Sequence, residues 1–132
     1  MTLVVDASVV VAAALLGDGR GRWANGCLQA PALSAPHVLP VEVASGLRRH
    51  VRAGSVQASA GRDMLRDVAL LRMELFPFAP FSDRIWELRD NLTAYNAWYV
   101  ALAEAHDCPL ATLDHRLVDA PGPRCQFLTP SG

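Results

Sequence analysis

Two aspartates follow directly on short apolar runs: Asp6 behind Leu3-Val4-Val5, and Asp114 behind Leu110-Ala111-Thr112-Leu113. Runs of this kind read as strands buried on both faces of a parallel sheet. The carboxyl edge of an open parallel sheet is where ligands bind. If the two strands are neighbours, their spacing of about 4.8 Å brings both carboxylates within reach of one cation. Two carboxylates that close do not both stay ionised cheaply without a positive partner. With oxygen donors alone, the natural partner is Mg²⁺ or Mn²⁺. Such an ion can hold and activate a water against a phosphodiester. Each aspartate also fits a plainer role, capping a helix that begins after its strand, and the sequence leaves both readings open.

That chemistry needs a scaffold that brings strand ends to one edge. Residues 3–5 read as a first strand and residues 7–16 as an Ala-rich helix, with Asp6 or Ala7 near its start. A flexible break at 17–21 leads to a short helix over 23–29, and residues 32–35 read as a second strand. Pro36 and Pro40 suit the first turn of a helix over 37–52. In it Val43, Leu47 and Val51 recur at four-residue spacing as a core stripe, and Gly54 supplies a stop signal. Glu42 falls on a different face, one turn in. Residues 55–72 read as a further helix, with Val56, Ala60, Leu65 or Met64, Val68 and Leu71 on its apolar side. Residues 75–78 are extended, and Pro77 and Pro80 confine them to a sheet edge. Helices follow over 81–91 and 94–105, the second capped by Thr93. Residues 110–113 read as a strand, 116–118 as a turn of helix, 125–128 as a last strand and 129–132 as a loose tail. Strands alternating with helices predict an α/β fold whose parallel sheet is covered on both faces.

The 132 residues suffice for one domain over 1–132 with a real core, and not for two. A composition of 52% hydrophobic and 19% charged residues excludes a disordered chain. No apolar stretch reaches the roughly 20 residues of a membrane span, and no basic region precedes the first apolar run, so neither a span nor a signal peptide is expected. Cys27, Cys108 and Cys125 lack metal-ligand spacing and suit a reducing cytoplasm. The histidines are too scattered for zinc. A Gly-rich phosphate loop and a nucleophile elbow are both absent from the sequence. The net charge of −1 does not advertise nucleic-acid binding, but all 12 basic residues are Arg, the better fork for phosphate oxygens. Arg48, Arg49 and Arg52 cluster, as a solvated face or as phosphate contacts. Tyr95, Trp98 and Tyr99 sit at helical spacing, which favours core or dimer packing over base stacking.

Four segments, in order along the chain, resemble the PIN-domain nucleases, and more closely the toxin ribonucleases of VapBC toxin–antitoxin modules. They are Val5-Asp6-Ala7-Ser8, then Pro40-Val41-Glu42-Val43-Ala44-Ser45, then the run from Ala94 to Glu104, then Thr112-Leu113-Asp114-His115-Arg116-Leu117. The resemblance implies an α/β/α sandwich on a parallel sheet of four to five strands, with acidic side chains at its carboxyl edge binding Mg²⁺ or Mn²⁺. It implies that Asp6 is the central metal ligand and that Glu42 is a ligand or orients the attacking water. Asp114 is then the later strand-end acid, acting through water, while Ser8 and Thr112 support the cluster. Arg48, Arg49, Arg52 and Arg116 become contacts for RNA or for an antitoxin. The implied activity is that of a metal-dependent endoribonuclease toxin of a type II toxin–antitoxin system, cleaving structured RNA such as tRNA or rRNA. The implied partners are a VapB-type antitoxin, which lies along the groove near the acids, and a second copy of the chain.

One position departs from the pattern. The family has Asp where this chain has Asn96. An amide oxygen coordinates a cation without charge and cannot act as a base. Losing an outer-shell partner typically costs about 10–100-fold, and losing a ligand's charge costs at least as much. The alternative reading is therefore a PIN-like protein that binds RNA or antitoxin and barely cuts. Asn96 also stands three residues after Thr93, where its side chain can reach back to complete a capping box.

Overall fold

The computed structural model describes residues 2–131. The chain runs β1 (Thr2–Val5), α1 (Ala7–Leu15), α2 (Gly19–Cys27), β2 (Ala32–Pro36), α3 (Leu39–Arg52), α4 (Ala58–Val68) and β3 (Met73–Phe76). A 3₁₀ turn at Ala79–Phe81 leads to α5 (Ser82–Glu87), α6 (Ala94–Ala105), β4 (Leu110–Ala111), α7 (His115–Asp119) and β5 (Phe127–Leu128). The sheet is parallel throughout, with five strands in the order β3-β2-β1-β4-β5.

The strand order explains where a site can form. From β1 the chain steps outward to β2 and then β3, and afterwards returns past β1 to β4 and β5. Right-handed crossovers therefore put α1 to α4 on one face and α5 to α7 on the other. Between β1 and β4 the connections diverge, and their carboxyl ends open a crevice at this topological switch point. The expected neighbourhood of the two strands is real: Val4 pairs with Leu110 and Val5 with Ala111, and the Asp6 N–H donates to the Ala111 carbonyl at 3.2 Å.

The core explains the strand identities. Val4, Val5, Leu110 and Ala111 are fully buried, as strands covered on both faces must be. Val43 and Leu47 of α3 are buried as the four-residue spacing predicts, while Val51 is half-buried. Burying each such aliphatic side chain contributes about 1.5–3 kcal/mol. Gly46 lets α1 and α3 close on each other, since a Cβ there would stand 2.9 Å from a methyl of Val11.

Several boundaries differ from those read in the sequence. Residues 19–21, expected as a flexible break, are the first turn of α2. The Asp18 carboxylate accepts from the N–H groups of Arg20 (3.0 Å) and Gly21 (3.2 Å), and this cap outweighs the poor helix propensity of glycine. The helix expected over 55–72 is α4 alone, because residues 73–76 pair with β2 from Leu33–Met73 to Pro36–Phe76 and the chain must leave the helix to reach that edge. The edge position of this strand agrees with the prolines that follow it. The expected helix over 81–91 contains only α5, followed by turns, and β4 and β5 are shorter than the strands read at 110–113 and 125–128. The helix over 94–105 and its Thr93 cap are as read. The tail from 129 has no regular structure as far as 131; Gly132, part of the same expectation, lies outside the described residues. Among the described residues, no helix is long and apolar enough to cross a membrane.

Candidate active site

Asp6 ends β1 and begins α1, and it does both things the sequence left open. Its carboxylate caps α1, accepting from the Val9 N–H at 3.3 Å. It also lies 7% exposed at the switch point. Two hydroxyls hold it: Ser8 donates to Oδ1 and Thr112 to Oδ2. Each hydroxyl is oriented by a backbone donor from the segment after β4, Leu113 N–H to Ser8 Oγ and Asp114 N–H to Thr112 Oγ1, both at 3.0 Å. Two backbone-to-hydroxyl-to-carboxylate relays thus tie the end of β4 to the end of β1. Burial pushes the Asp6 carboxyl above its ordinary range, against the hydroxyl and backbone donors that pull it down. Among the described residues no basic side chain forms an ion pair with it. Such a carboxylate favours a cation beside it.

Asp114 likewise combines two roles. It caps α7 through the Arg116 N–H at 3.0 Å and lines the same cavity as Asp6. Glu42 enters from the opposite wall, in the first turn of α3, and its Oε1 accepts from the Tyr99 hydroxyl at 2.6 Å. Asn96 enters from the first turn of α6. Its N–H donates to Thr93 Oγ1 at 3.2 Å, but its side chain makes no hydrogen bond among the described residues. The reciprocal half of the expected capping box is therefore not formed, and Asn96 lines the cavity.

The cavity has a volume of about 690 Å³. Asp6, Glu42, Asn96 and Asp114 line it together with Val11 and Leu15 of α1 and with Arg20, Arg49 and His50. Of the four arginines expected at the site, only Arg49 lines it; Arg48, Arg52 and Arg116 do not. The reason is helical phase: Arg49 follows Glu42 by seven residues, two turns along the same face of α3, whereas Arg48 and Arg52 point elsewhere. Arg20, in the first turn of α2, also lines the cavity and pairs with Asp18 at 3.3 Å. Thr112 is fully buried and acts on Asp6 rather than facing the cavity. Tyr95, 58% exposed, borders the cavity, whereas Tyr99 is core, as the helical spacing suggested, except for its hydroxyl. The bond from Tyr99 to Glu42 was missed. The one signal available was that Tyr99 shares a helix face with Asn96, three residues before it.

The donor set is all oxygen, which suits a hard divalent cation. Among the described residues, no three His, Cys, Asp or Glu side chains stand together as a ready cage. The set fits an ion of the Mg²⁺ type, which is held through one or two carboxylates and retains several waters.

A family model described as PIN domain matches residues 3–123. Ribonuclease VapC9 of Mycobacterium tuberculosis is 44% identical over 123 residues, covering 93% of this chain and 94% of that protein. The crystal structure of VapC20 from M. tuberculosis, a sarcin-ricin loop cleaving toxin, superimposes with a TM-score of 0.69 at 15% identity, covering 88% of this chain and 92% of that one. VapBC2 of Rickettsia felis, crystallised on a DNA fragment from its promoter, gives a TM-score of 0.69 at 15% identity over 98% of each chain. At these identities the two structures show the shared fold.

Proposed function

The chain belongs to the PIN-domain family, among its VapC ribonucleases, and on that premise we propose that it is the endoribonuclease toxin of a type II toxin–antitoxin pair, hydrolysing structured RNA with Mg²⁺ or Mn²⁺. The observation that carries this reading is Asp6: a buried carboxylate, unpaired with any basic group among the described residues, in one cavity with Asp114 and Glu42. Asp6 would hold the cation directly, Asp114 and Glu42 would reach it through its waters, and Asn96 would offer an amide oxygen. When bound, the cation supplies Lewis-acid activation of water and neutralises charge at the scissile phosphate. Ser8 and Thr112 keep Asp6 aimed at the cavity. Glu42 has an oxygen free to accept the proton of the attacking water, and Arg49 and Arg20 hold phosphates further along the RNA. Similarity to VapC20 makes ribosomal RNA one candidate substrate, with tRNA the other. The reaction takes place in the cytoplasm.

A VapB-type antitoxin is the proposed protein partner, supported by the likeness to VapBC2. Its terminal segment would occupy the same cavity, with a basic residue against Asp6, Glu42 and Asp114. A second copy of the chain fits a different surface, the apolar groove between α3, α4 and β3, where Val41 is 65% exposed and Leu65 and Leu75 are each 36% exposed. Sedimentation analysis of the isolated chain tests that arrangement: a monomer at micromolar concentration removes it.

Asn96 favours a second reading, a PIN-like protein that holds RNA or antitoxin and cuts poorly. One experiment separates the two. Total tRNA and ribosomal RNA are incubated with Mn²⁺ or Mg²⁺ and the chain, its Asp6→Ala variant or its Asn96→Asp variant. Cleavage by the chain that is lost in Asp6→Ala supports the nuclease. Cleavage by Asn96→Asp alone supports the binding protein, and silence from all three rejects cleavage of these RNAs.

A further inference from the structure

Tyr99 is a buried tyrosine whose single polar atom points at a carboxylate of the candidate site. The residue is 1% exposed, and its ring fills core space that a phenylalanine would fill as well. A buried phenol needs a partner, and here the partner is Glu42 Oε1, at 2.6 Å, the short distance of a charge-assisted bond. The donor comes from α6 and the acceptor from α3, 57 residues apart in sequence, so the bond ties together two helices that the chain places on different faces of the sheet. The phenol hydroxyl is the donor of this bond and the carboxylate oxygen its acceptor. Glu42 Oε2 has no hydrogen-bond partner among the described residues.

We infer that Tyr99 is a positioning residue for Glu42: its hydroxyl engages Oε1, locks the flexible side chain against α6 and leaves Oε2 presented to the cation or the attacking water. The inference rests on the metal-nuclease reading of the same cavity. Without the bond, an unbranched glutamate in the first turn of a helix swings freely toward solvent. An orienting partner of this kind typically changes metal affinity or activity by about 10–100-fold.

The test uses the full chain and Mn²⁺ alone, with affinity read from the paramagnetic signal of the free ion, and is run in parallel in the Asn96→Asp background. Tyr99→Phe removes one oxygen and keeps the ring, and cooperative thermal unfolding verifies its fold. The expected result is Mn²⁺ affinity about tenfold weaker in Tyr99→Phe, with no further loss when Tyr99→Phe is added to Glu42→Ala. Unchanged affinity in Tyr99→Phe overturns the inference. So does a loss on adding Tyr99→Phe to Glu42→Ala that equals the loss in the wild-type background, because Tyr99 would then act without Glu42. If wild type binds Mn²⁺ and Asp6→Ala does not, the metal reading stands whatever Tyr99→Phe does. If neither wild type nor Asn96→Asp binds Mn²⁺, both the reading and this inference fall.

Discussion

The strand-end wall of the cavity and its helical wall hold their polar groups by different means. On the strand side, Asp6 is fixed by two hydroxyls, each set by a backbone N–H of the adjoining segment. These donors are consequences of β1 and β4 being neighbours, so the carboxylate's position is over-determined. On the helical side, Glu42 is held by one side-chain bond from Tyr99, and Asn96 by none. The strand wall supplies a fixed charge; the helical wall supplies groups that a single substitution can release or alter. Asn96, which the sequence reading took as a departure from the acidic pattern of the resembled family, lies on that second wall.

The largest effect is expected from removing the fixed charge. Asp6→Ala should lower RNA cleavage and Mn²⁺ binding by more than about 100-fold, beyond the usual loss for an outer-shell partner. Gel-resolved cleavage of rRNA and tRNA and a Mn²⁺ titration check this. Asn96→Asp should act in the opposite direction, raising Mn²⁺ affinity by about 10–100-fold by returning a carboxylate to the movable wall. If Asn96→Asp changes affinity by less than about twofold, far short of that range, the helical wall does not contribute to the cation site and the contrast between the walls fails.

The strand wall can also be tested through stability. Thr112→Val keeps the shape and deletes the hydroxyl that donates to Asp6 and accepts from Asp114. Leaving those buried groups short of a partner should cost about 1–3 kcal/mol, read as a lower Tm. pH probes the same wall. The folded Asp6 carboxyl is raised above its unfolded value, so its contribution is fully present below the unfolded carboxylate range and lost as pH rises through the folded value. The metal-free chain should therefore lose stability as pH rises through that interval, added Mg²⁺ should restore it, and the dependence should be absent from Asp6→Ala. Denaturant unfolding at a series of pH values decides the point.

The contrast also explains what was legible in the sequence. Asp6 and Asp114 could be read because strand ends, helix caps and the edge of a parallel sheet are local or topological properties. Thr93 and residues 94–105 could be read because a cap precedes a helix-favouring run that is unbroken and apolar over 97–103. Asn96 was visible as a departure, but its free side chain was not, since the capping box was an equally good local solution. The start of α2 was not legible because Gly17, Gly19 and Gly21 argue for a break, and only the cap geometry of Asp18 overrules them. The end of α4 was not legible because pairing of residues 73–76 with β2 is a tertiary effect that overrides helix propensity. Arg49 could be separated from Arg48 and Arg52 only by helical phase relative to Glu42. The Tyr99 to Glu42 bond joins residues far apart in sequence, and no local pattern encodes it.

The smallest expected effect lies away from both walls. Glu104 of α6 accepts from Arg84 of α5 at 2.7 and 3.1 Å and from the Arg124 N–H at 2.7 Å, and Arg84 also donates to the Gly122 carbonyl at 2.9 Å. This clip fastens α5 and the C-terminal segment to α6. Burial raises the Glu104 carboxyl, but Arg84 and the Arg124 N–H outweigh it and hold the group below its ordinary range. Its contribution is thus present above the unfolded carboxylate range and lost as pH falls through the folded value, opposite in sign to that of Asp6. Glu104→Gln keeps one acceptor for Arg84, which retains Gly122, so the cost at neutral pH should be about 1 kcal/mol, a few degrees of Tm for a chain of this size. It should leave Mn²⁺ affinity unchanged, because the clip touches neither Asn96 nor Tyr99. A fall in affinity comparable to that of Tyr99→Phe would mean that the position of α6 as a whole, rather than the Tyr99 hydroxyl, sets the helical wall.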